Sequence, residues 1–87
     1  MPEPAQPVEH PGHLLTGFMR DKNFSQVRLA RELGVSVKHV WEIRRGKSLW
    51  STQLAVRMEA VMGIPATELM QLKDAYVIDR QRREQPQ

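Results

Sequence analysis

The chain has 87 residues, no cysteine and a formal net charge of +3, a length that suits one domain burying about 60 to 65% of its unfolded surface. The lack of cysteine excludes disulfides and thiolate metal sites. The N-terminus has no basic or apolar run and no segment approaches the ~20 apolar residues that span a bilayer, so we expect a cytoplasmic protein that does not contact a membrane.

The positive charge is concentrated in one stretch of the chain. Residues 20–47 carry eight basic side chains against three acidic ones, a local charge of +5, whereas the rest of the chain carries −2. Such a concentration is typical of a surface that binds a polyanion. Charge alone equally allows the interpretation that these side chains only solvate short helices.

The first predicted elements are an N-terminal arm and one helix. Residues 1–9 contain three prolines and two acids with little that can pack, so we expect them to be disordered. Proline suits the first helical position, which predicts that helix one begins at His10 or Pro11. It ends near Lys22 or Asn23. Its apolar stripe, at helical spacing, consists of Leu14, Leu15, Phe18 and Met19.

Residues 25–46 predict two short helices joined by a tight turn. Ser25 and Ser36 are good N-caps, and Gly34 and Gly46 suit left-handed helix ends. The predicted seam between the two helices consists of Leu29, Ala30, Leu33, Val40 and Ile43. The side chains that point away are mostly basic: Arg28, Arg31, Lys38, His39, Glu42, Arg44 and Arg45. A compact helix pair with a cationic outer face fits the DNA major groove.

Two further helices complete the predicted architecture. Ser51 is expected to cap a fourth helix that ends at Gly63, with Trp50 packed against its start. A fifth helix begins near Pro65 or Ala66 and is long for so small a domain. The sequence therefore predicts an all-α, five-helix domain over residues 10–83, followed by a disordered tail at 84–87.

The fifth helix carries two apolar stripes. Leu69, Leu72 and Tyr76 lie on one face, and Met70 and Val77 lie on another. A helix that faces one core needs a single stripe of about 100°, so the second stripe suggests a partner. The alternative is that Met70 and Val77 only widen the contact with the same core.

The outer face of the third helix predicts the residues that contact DNA. Bases are read by side chains at its exposed start and middle, namely Val37, Lys38, Trp41 and Glu42. Lys38 can donate to guanine, Glu42 can accept from cytosine, and Val37 can touch a thymine methyl. Phosphate contacts are expected at the starts of helices two and three and at the end of helix three. These residues are Gln26, Ser36, His39, Arg45 and Lys47.

Glu42 and Trp41 each have a second interpretation. DNA phosphates repel a glutamate, and Glu42 can instead pair with Lys38 or Arg45 on the helix surface. Trp41 can lie over sugar and phosphate, or stack with Arg44 or Arg45 as a cation-π pair. It can equally cover the hydrophobic core beside the fourth helix, because tryptophan is highly buried on average.

The sequence offers no set of residues suited to catalysis. It contains no Ser, His and Asp arrangement, Gly-rich loop or carboxylate pair that suggests an active site, so we expect no enzyme, no cofactor and no small-molecule ligand. His10 and His13 lie one helical turn apart, but zinc needs three or four converging ligands and only His39 adds an imidazole. We expect His10 to act as a cap or to lie at the surface.

The stretch FSQVRLARELGVSVKHVWEIRRGK resembles the helix-turn-helix of the lambda-repressor-like Xre family. The matching positions are Ser25, Gln26, Leu29, Ala30, Gly34, Val35, Ser36, Ile43, Gly46 and Lys47. The flanks are similar to the HigA branch of antitoxins in His10-Pro11-Gly12, Ser51 and Leu72-Lys73-Asp74-Ala75-Tyr76. The chain departs from the branch at Pro65-Ala66 and Leu69, and also at Val37 and Trp41, where polar residues are common. We therefore expect a different DNA target.

The resemblance implies a homodimeric antitoxin that binds double-stranded operator DNA, represses its own toxin-antitoxin operon and binds a HigB-type toxin, a messenger-RNA-cleaving ribonuclease of the RelE kind. We assign the dimer contact to helix five, through Met70, Lys73 and Val77. Dimer symmetry then predicts an inverted-repeat operator with half-site centres about 10 bp apart. The alternatives are a stand-alone or phage-type repressor without a toxin, and an interaction module whose basic face only keeps it soluble.

Overall fold

Three serines begin three of the helices, as the sequence predicts. In the computed structural model, the Ser25 hydroxyl accepts a hydrogen bond from the Arg28 N–H at 3.0 Å. Ser36 accepts from the His39 N–H at 3.0 Å, and Ser51 from the Leu54 N–H at 3.1 Å. Each bond satisfies a backbone donor that the helix itself leaves unpaired, and such a cap is worth about 1 kcal/mol.

The structure describes residues 9–85, which form five helices and, over that range, no strand. The helices are α1 (His13–Lys22), α2 (Gln26–Leu33), α3 (Val37–Arg44), α4 (Thr52–Met62) and α5 (Ala66–Glu84). The predicted all-α, five-helix fold with a long C-terminal helix is therefore confirmed. Apart from Glu9, the predicted N-terminal arm lies outside the described residues, and so do residues 86–87 of the predicted tail. The prediction of a disordered tail was wrong at Glu84, which is the last residue of α5.

The start of α1 is the helix boundary that the sequence misplaced most. The helix begins at His13 rather than at His10 or Pro11, and the carbonyls of Pro11 and Gly12 accept from the N–H groups of Leu14 and Leu15, both at 3.0 Å. Gly12 is buried, and a Cβ built there would overlap the carbonyl oxygen of Ile43. This close approach to the end of α3 is a tertiary contact, so it leaves no local signal in the sequence.

The core lies where α2, α3 and α4 meet, with one residue each from α1, α5 and the loop before α4. All five residues of the predicted α2–α3 seam are buried, with at most 2% exposure. The other buried apolar residues are Leu15, Trp50, Leu54, Ala55, Met58 and Leu69. The Trp50 indole N–H donates to the carbonyl of Leu69 at 3.1 Å, which ties the loop before α4 to α5. The predicted packing role of Trp50 is confirmed.

Only the first part of α5 belongs to this core. Leu69 is its one fully buried residue, and Met70 is half-buried against the core, as the wider-contact alternative proposed for it. Leu72, expected to face the core, is 40% exposed and lines an open apolar groove of about 520 Å³ between α1 and α5. Beyond residue 70 the helix has no fully buried side chain. No helix within residues 9–85 has the length and apolar character needed to cross a membrane.

Candidate nucleic-acid interface

The outer face of α3 presents the four side chains predicted to read bases. Val37 and Trp41 are 39% and 37% exposed, and they are neighbours because they lie four residues apart on one helix. Lys38 is exposed and Glu42 is half-buried, again four residues apart. The structure therefore brings a donor, an acceptor and two apolar groups onto one exposed helix face, as base readout in the major groove requires.

Trp41 lies on this surface and not in the core beside α4. The Arg45 guanidinium carbon and the Lys47 Nζ each lie 5.2 Å from the centroid of its ring. Both distances are within the cation-π range. The indole thus holds the two cations at the C-terminal end of α3, where phosphate contacts are predicted.

Glu42 does not form the surface ion pair that was its alternative role. Within residues 9–85 its carboxylate pairs with neither Lys38 nor Arg45. Its backbone carbonyl accepts from the N–H groups of Lys47 and Ser48, at 2.9 and 3.3 Å. These two bonds fold the loop after α3 back onto the helix, and so bring Lys47 to the Trp41 ring.

The predicted phosphate contacts lie at helix ends. Gln26 is the first residue of α2, Ser36 is the N-cap of α3, and His39 follows in its first turn. Arg45 and Lys47 are exposed at the far end of α3. Helix N-termini carry unpaired N–H groups and a positive partial charge, so these positions suit an anionic backbone.

Arg44 is the site residue that sequence reasoning missed, because it was expected to point outwards. It is half-buried: its Nε donates to the Thr16 hydroxyl of α1 at 3.0 Å, and its Nη1 donates to the Gln26 Oε1 of α2. One guanidinium thus joins three helices. Its partners are 28 and 18 residues away in the chain, so no local pattern indicates them.

Beside this network lies a pocket between α1 and α3. The pocket has a volume of about 370 Å³ and is lined by His13, Thr16, Trp41, Arg44 and Arg45. The cationic and hydroxyl groups on its wall are donors that suit an anion. The cations of this pocket, Arg44 and Arg45, come from the end of α3, whereas α1 contributes His13 and Thr16.

His10 neither caps a helix nor stands free at the surface. The N-cap of α1 is Gly12, and His10 is half-buried with its ring stacked on His13 at a centroid distance of 4.1 Å. A Cβ at Gly46, whose φ is +76°, would lie 2.7 Å from the His10 Cγ, so the ring packs on that glycine. Burial, followed by the nearby His13, lowers the pKa of His10. Among the described residues, no three potential ligands converge on a metal position.

The residues assigned to a dimer contact lie along α5. Lys73 and Val77 are half-buried, and Val77 lines a shallow pocket of about 210 Å³ with Leu49 and Tyr76. The exposed apolar side chains of this helix are Leu72 and Ile78, at 40% and 48% exposure. Assignment of the dimer contact to Met70, Lys73 and Val77 remains a prediction.

Comparison with solved structures shows which proteins have this fold. The structure is similar to the antitoxin GraA, with a TM-score of 0.85 and 26% identity over 92% of this chain and 87% of that one. It is similar to PA4674 of Pseudomonas aeruginosa, solved with its operator DNA, with a TM-score of 0.84 and 26% identity over 94% and 89% of the two chains. For the Pseudomonas aeruginosa antitoxin HigA with the higBA promoter, the TM-score is 0.72 and the identity 28% over 88% and 91%.

No family model matches the sequence, and no curated protein matches it significantly. The three-dimensional comparison nevertheless confirms the resemblance to lambda-repressor-like helix-turn-helix proteins and to HigA-type antitoxins. Two of these neighbours are named antitoxins, and two were solved with operator or promoter DNA.

Proposed function

We propose that this protein is a sequence-specific DNA-binding antitoxin that represses its own toxin-antitoxin operon and neutralises a HigB/RelE-like ribonuclease toxin by binding it. The observation that carries the proposal is the exposed face of α3, bordered by cations, in a fold shared with an antitoxin solved with promoter DNA and with a protein solved with its operator DNA. We assign it no catalytic activity, cofactor or small-molecule ligand, and place it in the cytoplasm.

DNA readout follows from the side chains on that face. Lys38 donates to guanine O6 or N7, Glu42 accepts from cytosine N4, and Val37 contacts a thymine methyl. The freedom of Glu42 from ion pairs within the described residues supports its role as an acceptor. Trp41 adds apolar contact at the middle of the helix.

Phosphate contacts orient the helix in the groove without reading sequence. Gln26, Ser36 and His39 lie at the N-terminal ends of α2 and α3, while Arg45 and Lys47 hold the opposite end. Contacts on both sides of the recognition helix fix its register against the bases. The two cations are already held by the Trp41 ring, so less side-chain freedom is lost when they bind.

The protein acts as a homodimer joined through α5. Beyond residue 70 this helix has half-buried and exposed apolar residues but no fully buried one, which supports a contact that completes their burial. Met70, Lys73 and Val77 are the residues assigned to it. A two-fold dimer places two recognition helices in adjacent major grooves, so the operator is an inverted repeat with half-sites about 10 bp apart.

Two experiments test the proposal. Gel-shift titration with the promoter fragment upstream of the protein's own gene should give binding that a random duplex of equal length does not compete away at physiological salt. Equal affinity for both duplexes would refute sequence-specific repression.

Co-expression with the neighbouring reading frame should co-purify a small basic ribonuclease whose messenger-RNA cleavage the antitoxin inhibits. Operator binding without such a partner would favour the stand-alone repressor, and a partner without DNA binding would favour the interaction module.

A further inference from the structure

The hydrogen bonds of Arg44 connect the inner side of the recognition helix α3 to α1 and α2. Its Nε is 3.0 Å from the Thr16 Oγ1, so α1 holds the guanidinium plane in place. Its Nη1 is then aimed at the Gln26 Oε1 of α2, and this second bond is also partly buried. Both bonds have a charged donor, which makes them stronger than neutral hydrogen bonds.

The chemistry of the guanidinium determines which end of the Gln26 amide it can bind. An arginine side chain only donates, whereas a glutamine amide has an accepting oxygen and a donating nitrogen. Arg44 therefore selects the orientation in which the Gln26 oxygen faces inwards. The Nε2, with its two N–H groups, is left facing the other way.

That orientation is the one a DNA phosphate needs. Phosphate oxygens accept hydrogen bonds, so an outward amide oxygen would be repelled and an outward Nε2 is a donor. Gln26 is the first residue of α2, beside backbone N–H groups that lack a partner within the helix. The side-chain Nε2 and the backbone N–H groups are therefore both donors at the start of α2.

We infer that Arg44 is a positioning residue for DNA binding: it does not contact DNA, but holds the Gln26 amide with its nitrogen towards a backbone phosphate. The inference rests on the proposed function, since it assigns a role within the DNA complex. Arg44 thereby differs from Arg45 and Lys47, the cations at the same end of α3 that contact phosphate directly.

A double-mutant cycle between Arg44 and Gln26 tests this role. Arg44→Met, Gln26→Ala and the double variant are titrated against the promoter fragment upstream of the protein's own gene and against a random duplex. Arg44→Met should weaken both complexes by about 3- to 10-fold, the effect of having to order one flexible side chain on binding. In the Gln26→Ala background the same substitution should have an effect of about 2-fold or less, because the group that Arg44 orients is gone.

Salt dependence separates positioning from direct contact. An arginine that binds phosphate contributes about one unit to the slope of log affinity against log salt. Arg82→Met is the matched control, because Arg82 is an exposed arginine of α5, outside the helix-turn-helix, and its loss removes the same formal charge. Arg44→Met should change the slope no more than Arg82→Met does. Additive losses in the cycle, or a slope lowered by a full unit relative to that control, would overturn the inference.

Thr16 provides a second pair of variants in case Arg44→Met does not fold. Thr16→Val removes the hydroxyl that holds the guanidinium and should lower DNA affinity about 3-fold, whereas Thr16→Ser restores it. Unchanged affinity in Thr16→Val would contradict the inference. If the wild-type protein binds no DNA, the proposed function fails and this inference with it. Wild-type binding combined with additive losses refutes the inference alone.

Discussion

The helix-turn-helix and the second half of α5 differ in how strongly contacts within the chain stabilise them. In residues 25–46, two serine caps, a left-handed glycine turn and five buried apolar residues leave little conformational choice. After Met70, α5 has no fully buried side chain, and exposed ion pairs such as Arg80 with Glu84 add at most a few tenths of a kcal/mol. The helix-turn-helix is therefore fully packed within one chain, whereas the second half of α5 has apolar side chains that a second chain could bury.

The largest expected effect comes from a cavity in the helix-turn-helix. Ile43→Ala should lower the free energy of unfolding by about 2–5 kcal/mol, because Ile43 is fully buried in the α2–α3 seam. Urea unfolding measures the loss. Ile78→Ala on α5 is the matched control and should change a monomeric sample by about 0.5 kcal/mol or less. Equal losses would mean that α5 is as well packed as the seam.

Base readout and phosphate contact should separate when two lysines are compared. Lys38→Ala should cost about 1–3 kcal/mol of discrimination between promoter and random DNA, because it removes a base contact. Lys47→Ala should weaken both complexes equally and reduce the salt slope by about one unit. Gel-shift titrations at several salt concentrations measure both effects. Equal losses on both duplexes for Lys38→Ala would remove it from the reading face.

A charge introduced on α5 should weaken the dimer while leaving the helix-turn-helix folded. Val77→Asp should raise the dimer dissociation constant at least about tenfold, since association must then remove a carboxylate from water. Sedimentation equilibrium measures the constant, and circular dichroism checks the fold. Gln71→Asp, at an exposed position on the same helix that lies outside the pocket lined by Val77, is the control. If Val77→Asp sediments like wild type, α5 is not joined through this residue.

The smallest effect should come from His10, where the turn before α1 meets the end of α3. Because burial and His13 lower the pKa of His10 in the folded protein, the unfolded chain binds this proton more readily. The contribution to stability is fully present above about pH 6.5 and is lost as the pH falls below that value towards the folded pKa. Thermal melts of His10→Gln should therefore show a weaker pH dependence than wild type across this window. Loss of the same dependence in His39→Gln but not in His10→Gln would contradict the assignment.

What the sequence could predict was what neighbouring residues determine. Ser25, Gly34 and Ser36 act within one turn of chain, so the boundaries of α2 and α3 followed from local chemistry. The start of α1 did not, because Gly12 is placed by the Ile43 carbonyl far along the chain. The sequence does not decide whether Trp41 lies at the surface or in the core, because its spacing on the helix is compatible with both.

The reading face and its supporting network were predictable to different degrees. The exposure of Val37 and Lys38 followed from their place on α3, and the structure exposes both. The role of Arg44 depends on Thr16 and Gln26 from two other helices, a contact that exists only after folding. The charge pattern predicts that Arg44 points outwards, whereas in the structure it is half-buried and connects α3 to α1 and α2.

The two tryptophans, Trp41 and Trp50, give this protein two optical probes in contrasting surroundings. Trp50 is fully buried with its N–H bonded to Leu69, so its fluorescence should be blue-shifted, protected from iodide and lost only when the fold opens. Trp41 lies at the reading face beside Arg45 and Lys47, where it should emit at longer wavelength and be open to quenching until DNA covers it. One unlabelled sample should thus report unfolding and DNA engagement as separate spectral changes.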